Sequence, residues 1–207
     1  MKRTFFIGDI HGCAEELSEL FEKISPSADD DVYQAGDLIN KGPDSIEVVK
    51  FVLKHKIKCV MGNHEAKLLN ILKKAASELN AKETRFLERI GDPEWIASVV
   101  SEFPLWLDTG REFLLHAGLE PDKERIEDMD AKSILSMRLW NGLPWYEQTS
   151  IKERTIIFSH WAANGLVDFP HAKGLDTGCV YGKLLTGYCP EEERFYQIAA
   201  KKAYAAF

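Results

Sequence analysis

Six residues of types that bind divalent cations, Asp9, His11, Asp37, Asn63, His116 and His160, each follow a short apolar run in this 207-residue chain. They lie in Gly8-Asp9-Ile10-His11-Gly12, Gly36-Asp37, Gly62-Asn63-His64-Glu65, His116-Ala117-Gly118 and Ser159-His160-Trp161. Carboxylate and imidazole are ligands that Mn, Fe, Co, Ni and Zn accept, with carboxylate oxygen favouring the harder ions. Asp9 and His11 are two residues apart and can grip one ion from a single tight loop. The two oxygens of Asp37 can bridge a pair of ions, and Asn63, His116 and His160 would complete the second site. Neighbouring glycines let the backbone turn sharply and approach an ion closely. Two ions about 3.5–4 Å apart acidify a shared water, clamp phosphoryl oxygens and stabilise an in-line displacement. The chemistry expected is therefore metal-dependent hydrolysis of a phosphoester or phosphoanhydride.

Each residue taken singly has a plainer explanation. A lone Asp after a strand is more often a turn or cap residue, because its side chain satisfies nearby backbone amides. A lone His is more often structural. Six such residues after five apolar runs are hard to explain that way. His55 and His171 follow no such run and read as structural or solvated.

The elements that must position these residues are legible as patterns. Residues 2–8 form a short aromatic and β-branched run ended by Gly8, which reads as a buried strand. Over 15–23, apolar Leu17, Leu20, Phe21 and Ile24 recur at helical spacing and Pro26 follows. Residues 32–35 give a second strand. Pro43 stands where a helix can begin, with Ile46, Val49, Val52 and Leu53 as its apolar stripe. Residues 58–61 give a third strand and about 65–79 a third helix. This alternation predicts a parallel sheet with helices on its faces. Loops at the carboxyl ends of such strands converge on one site. Residues 65–103 read as wholly helical and without catalytic motif, suited to a cap or outer layer. Residues 113–116 and 155–159 are further strands, and 175–177, 184–188 and 195–199 suggest a closing meander. Without repeats or a flexible linker, the expectation is one domain over 1–207.

Composition narrows the class. Hydrophobic residues make up 45% and charged residues 29%, as in an ordinary globular protein. The net charge of −7 argues against a general nucleic-acid binder, which draws on Lys and Arg. It leaves room for a small phosphorylated substrate, because bound cations reverse the local field. Cys13, Cys59, Cys179 and Cys189 form no C-x-x-C pair and read as buried thiols of a reducing compartment. The chain has no signal-peptide pattern and no spanning apolar stretch, so the location expected is cytoplasmic, with no membrane partner.

The five motifs, in this order, resemble the calcineurin-type metallophosphoesterases. That resemblance implies an α/β fold: a four-layer β-sandwich flanked by helices. It places Asp9, His11 and Asp37 on one metal and Asp37, Asn63, His116 and His160 on the other, with His64 protonating the leaving oxygen. Mn²⁺ is the expected ion, and Co²⁺, Fe, Ni²⁺ or Zn²⁺ would also suit. The phrases Gly36-Asp37-Leu38-Ile39-Asn40-Lys41-Gly42-Pro43-Asp44-Ser45, His160-Trp161-Ala162-Ala163 and Leu175-Asp176-Thr177-Gly178-Cys179-Val180-Tyr181-Gly182 are most similar to the symmetrical bis(5′-nucleosyl)-tetraphosphatases. The implied reaction is attack by a metal-bridging hydroxide on diadenosine tetraphosphate, releasing two ADP. Bacterial and phage serine/threonine protein phosphatases share the first three motifs, which keeps a phosphoprotein or simple phosphomonoester as the alternative substrate. A weakly active nucleotide-sensing module is a second alternative, and capped or triphosphorylated RNA would need a basic groove that this charge does not offer.

Two positions depart from the protein-phosphatase pattern Gly-Asp-x-x-Asp-Arg-Gly, which reads Asn40 and Lys41 here. Asn40 can accept a hydrogen bond from an imidazole but cannot stabilise imidazolium by charge. Lys41 brings charge without the planar fork of Arg. Lys41, Asn63, Arg138 and Tyr181 are the candidate substrate-binding residues. Trp140, Trp145 and Tyr146 could stack on a base, but large aromatics are more often hydrophobic cover.

Overall fold

The structure, a computed structural model, describes residues 2–207. In chain order the first half comprises β1 (Thr4–Ile7), α1 (Ala14–Ile24), β2 (Asp31–Gln34), α2 (Ser45–Lys54), β3 (Lys58–Cys59), α3 (Asn63–Leu72), α4 (Ala81–Ile90) and α5 (Pro93–Val100). The second half comprises β4 (Trp106–Asp108), β5 (Glu112–Leu115), α6 (Ala131–Ser136), β6 (Leu139–Trp140), β7 (Leu143–Pro144), α7 (Trp145–Gln148), β8 (Thr155–Phe158), β9 (Val167–Phe169), β10 (Ala172–Gly174), β11 (Leu184–Cys189) and β12 (Arg194–Ala199).

These strands form two five-stranded sheets, ordered β12-β11-β1-β2-β3 and β4-β5-β8-β10-β9, plus the small hairpin β6-β7. Each large sheet has three consecutive parallel strands, β1-β2-β3 in one and β5-β8-β10 in the other. Antiparallel β11 and β12 extend the first sheet beyond β1, with parallel β3 as its other edge, and antiparallel β4 and β9 form both edges of the second. Successive side chains of a strand point to opposite faces, and both sheets use this to bury two faces. Phe5 and Ile7 of β1 pack with Leu17, Leu20, Val48, Val49 and Val52 of α1 and α2. Phe6, between them in sequence, turns the other way and meets Leu114 and Ile157 of the second sheet. Ile156 and Phe158 of β8 face outward against Ile134, Trp145 and Tyr146. The layers are helices, sheet, sheet, helices, the four-layer α/β arrangement that the motif resemblance implies.

The strand pattern alone predicts a single parallel sheet, and there the structure corrects it. β4, β9 and β10 are additional, and residues 175–177 are not a strand. Asp176 Oδ1 accepts the Gly178 N–H at 3.1 Å, Gly178 has φ +75°, and the Thr177 hydroxyl donates to the Leu184 carbonyl. This polar turn leaves β10 and carries the chain across to β11, so the closing element is the β11-β12 hairpin on the first sheet. The 65–103 region is also less uniform than its composition suggests. Asn80 and Asp92 cap new helix starts by accepting backbone N–H groups. Phe86, Ile90, Ile96 and Val100 then cover the helical side of the first sheet as an outer layer. No helix among the described residues is long and apolar enough to cross a membrane.

Candidate metal centre and active site

The carboxyl ends of β1, β2, β3, β5 and β8 open into one cavity, whose wall includes Asp9, His11, Asp37, Lys41, Asn63, His64, Arg138, His160, Asp176 and Tyr181. Its backbone is unusually wound: His11, Asp37, Asn40, Lys41 and His160 have φ of +49°, +58°, +69°, +66° and +72°. Left-handed conformations cost non-glycine residues on the order of 1 kcal/mol each and gather where function over-determines the backbone. One buried carboxylate holds much of this in place. Glu65 accepts the N–H groups of Asp37, Leu38, Ile39 and Gly62 at 2.8, 3.0, 3.3 and 3.0 Å, tying the β2 loop to the start of α3. The two segments touch so closely that a Cβ at Gly62 would lie 2.2 Å from the Asp37 nitrogen. α3 begins at Asn63 and not at about 65, so Asn63 and His64 occupy its first turn and face the cavity.

Asp37 stands at the centre. Its Oδ1 accepts the His64 N–H at 2.9 Å. Its Oδ2 lies 3.5 Å from His11 Nε2, 3.6 Å from His116 Nε2 and 3.9 Å from His64 Nε2. Asp9 Oδ2 is 3.7 Å from His11 Nε2. Asn63 Oδ1 lies 2.9 Å from both His116 Nε2 and His160 Nδ1. His116 is fully buried behind the cavity wall, and its Nδ1–H donates to the Ala35 carbonyl at 2.7 Å. His11 Nδ1–H likewise donates to the Ile39 carbonyl at 3.1 Å. These carbonyls fix the tautomers and turn the bare Nε2 of both rings toward Asp37. The donor atoms fall into two groups sharing Asp37, namely His11, Asp37 and His64, and Asp37, His116 and His160. All six residues singled out in the sequence thus meet in one place, with His64 among them.

Residues 2–188 match the family of calcineurin-like phosphoesterases. The chain belongs to that family. The symmetrical bis(5′-nucleosyl)-tetraphosphatase of Aromatoleum aromaticum is 28% identical in an alignment covering 98% of this chain and 99% of that protein. Its counterpart in Cellvibrio japonicus is also 28% identical, over 96% of this chain and 99% of the relative. Among solved structures, a provisionally named diadenosine tetraphosphatase superposes with a TM-score of 0.84 at 28% identity, covering 96% of this chain and 94% of that one. A Saccharomyces cerevisiae serine/threonine phosphatase resembling human PP5 gives a TM-score of 0.59 at 19% identity, over 84% of this chain and 66% of its own, and shares the fold. This phosphoesterase is therefore a metal-dependent phosphoester or phosphoanhydride hydrolase.

The electrostatics fit divalent ions. Asp9, Asp37 and Asp176 are all buried around the cavity. Burial, followed by the charges of Asp176 and Asp37, pushes the Asp9 carboxyl well above the usual carboxylate range. Burial alone would raise Asp37 too, but the charge that the neighbouring His116, His64 and His11 rings carry in acid, with the His64 N–H, outweighs it and holds Asp37 well below that range. Burial lowers His11 and His160 to about 3 and His64 to about 4, which leaves these rings neutral with lone pairs to offer. A buried cluster of carboxylates and neutral imidazoles must take up protons or cations. The chain supplies one cation itself: Lys41 Nζ donates to His11 Nε2 at 2.8 Å.

A pH-dependent thermal shift follows from the raised Asp9. Because its folded pKa lies above the unfolded one, the stability it confers is present at low pH and is lost as pH rises through the folded value. A divalent ion needs the ionised carboxylate and offsets that loss. Mn²⁺ added to chelator-treated protein should therefore raise Tm more at about pH 8 than at about pH 5.5. At a hundred times Kd the gain should be roughly 2.7 kcal/mol, or about 5–10 °C. Differential scanning fluorimetry reads this directly, and equal gains at both pH values would contradict it.

Several residues at the site went unassigned in the sequence. Asp176 and Trp161 line the cavity, as does Phe207. Trp161 and Asp176 stand in the phrases shared with the tetraphosphatases, so the signal for both was present. Glu65 sits three residues beyond Gly62, the spacing at which a helix-start carboxylate reaches back to cap its own first turn. Phe207 had no local signal. Trp145 and Tyr146 are buried on the outer face of the second sheet with Trp140 packed beside them, so they serve as hydrophobic cover. His55 packs on Phe21 and Phe51, and His171 faces the Tyr146 carbonyl, both away from the cavity. All four cysteines are free and buried.

Proposed function

We propose that this phosphoesterase hydrolyses diadenosine tetraphosphate and related dinucleoside polyphosphates symmetrically, with Asp9, His11, Asp37, Asn63, His116 and His160 holding two divalent ions, Mn²⁺ by preference, in the cytoplasm. The observation that carries the reading is that Lys41, Arg138, Tyr181 and Trp161 line the same cavity as the ligand cluster. Cationic and aromatic side chains beside a metal cluster suit a phosphate chain that ends in bases. The names of the relatives support the same substrate class.

Two ions held here would supply positive charge to the phosphoryl oxygens and an acidified water. The chain's own groups do the rest. Lys41 and Arg138 neutralise charge that develops on equatorial phosphoryl oxygens, and the Asn63 amide helps to orient the reacting group. Arg138 is steadied by donating to the His160 carbonyl. His64 gives a proton from Nε2 to the departing oxygen. Its Nδ1 lies 2.9 Å from Asn40 Nδ2, while the Asn40 Oδ1 is buried without a partner. Turning that amide over would let Oδ1 accept the Nδ1–H of a protonated His64, which satisfies both groups. The incoming phosphate charge favours the same protonated form.

Product analysis tests the reading. With Mn²⁺ and diadenosine tetraphosphate, chromatography should show ADP as the only nucleotide product. AMP together with ATP, or a strong preference for a phosphopeptide substrate, would overturn it.

A further inference from the structure

We propose that Phe207 and Tyr181 form a stacking platform for one nucleobase of the substrate, making Phe207 a specificity-determining residue; this rests on the dinucleotide reading above. The two rings pack with centroids 4.5 Å apart and planes inclined by 44°. Phe207 nevertheless remains 70% exposed, the most exposed of the large hydrophobic side chains among the described residues, and it lines the same cavity as the metal-ligand cluster. An apolar ring left open on the wall of a polar site has area to cover when a flat ligand arrives.

The placement is built, not incidental. The Tyr204 and Ala205 N–H groups donate to the Val180 carbonyl at 2.9 and 3.1 Å, and Tyr181 bridges to Ala203. The Tyr204 hydroxyl donates to the buried Glu16 at 2.7 Å. The segment that carries Phe207 is therefore laced to the loop that carries Tyr181.

Charge identifies the ligand class. Lys41 Nζ lies 2.8 Å from His11 Nε2 and 5.3 Å from the Tyr181 ring centroid. One side chain thus touches both the metal-ligand cluster and the platform. Lys183 Nζ lies 4.7 Å from the Phe207 centroid, on the same platform. An anionic chain gripped by Lys41 would bring whatever terminates it onto these rings. Aromatic faces flanked by lysines suit a nucleobase joined to phosphates.

The test compares ligands with and without a base in the Mn²⁺-loaded protein. Phe207→Ala should raise KM for diadenosine tetraphosphate about 5- to 100-fold, the range for one lost base stack, with a much smaller change in kcat. By calorimetry it should weaken ADP binding by a similar factor and leave pyrophosphate affinity as in wild type, and Phe207→Trp should restore ADP binding. Unchanged KM and ADP affinity in Phe207→Ala would overturn the platform, as would equal losses for ADP and pyrophosphate. A wild-type protein that fails to cleave diadenosine tetraphosphate would instead overturn the substrate reading, and the ADP-against-pyrophosphate comparison would still decide whether these rings hold a base.

Discussion

Asp37→Asn should lower turnover by at least about 10³-fold, equivalent to roughly 4 kcal/mol of transition-state stabilisation, without unfolding the protein. Among the described residues, Asp37 is common to both groups of donor atoms, so its charge would serve both of the proposed ions. Asn has nearly the same shape, and its amide oxygen can keep the 2.9 Å hydrogen bond from the His64 N–H. No cavity opens and no backbone donor is orphaned, so Tm of the metal-free variant should stay within a few degrees of wild type, or about 1 kcal/mol. The amide also withdraws a negative charge from the cluster, so the Mn²⁺-dependent rise in Tm should shrink. Metal content, Tm and turnover measured on one preparation separate these effects. Full activity in a folded, metal-replete Asp37→Asn protein would end the proposal that this residue bridges the ions.

Removal of the His64 ring should cost about 10²–10⁴-fold in kcat, the usual contribution of a positioned general acid. The loss in His64→Ala should be greatest for substrates with poor leaving groups and should nearly vanish for one whose leaving group needs no proton. A uniform loss across leaving groups would mean that His64 only positions its neighbours. Asn40 supplies a finer test of the same ring. Burial lowers His64 to about 4, against the pull of the Asp37 charge. The neutral Asn40 amide adds no charge to oppose that lowering. Asn40→Asp would place a carboxylate at Nδ1 and favour imidazolium, so His64 would lose its proton at a higher pH and the basic limb of the kcat profile would move upward. A profile unchanged by Asn40→Asp would mean that this contact does not govern the proton.

Much of this protein is written locally. Asp9, His11, Asp37, Asn63, His116 and His160 were legible because each directly follows a short apolar run, and a parallel strand delivers its carboxyl end to one edge whichever neighbours it pairs with. The motifs also carried the family and, through it, the four-layer fold. What sequence could not decide was pairing. Alternating side chains tell that β1 has two buried faces, but not that Phe6 will meet Leu114 and Ile157 of a second sheet. The same blindness made residues 175–177 look like a strand, because nothing local showed that β10 already pairs with β8 and that the chain must turn there. Asp176 reaches the cavity only through that turn, and Phe207 only because its segment is laced to Val180. Contacts between distant segments leave no periodic trace in the chain, so tertiary structure alone decided which additional residues join the candidate metal ligands, whereas the candidates themselves could be picked out from their places at strand ends.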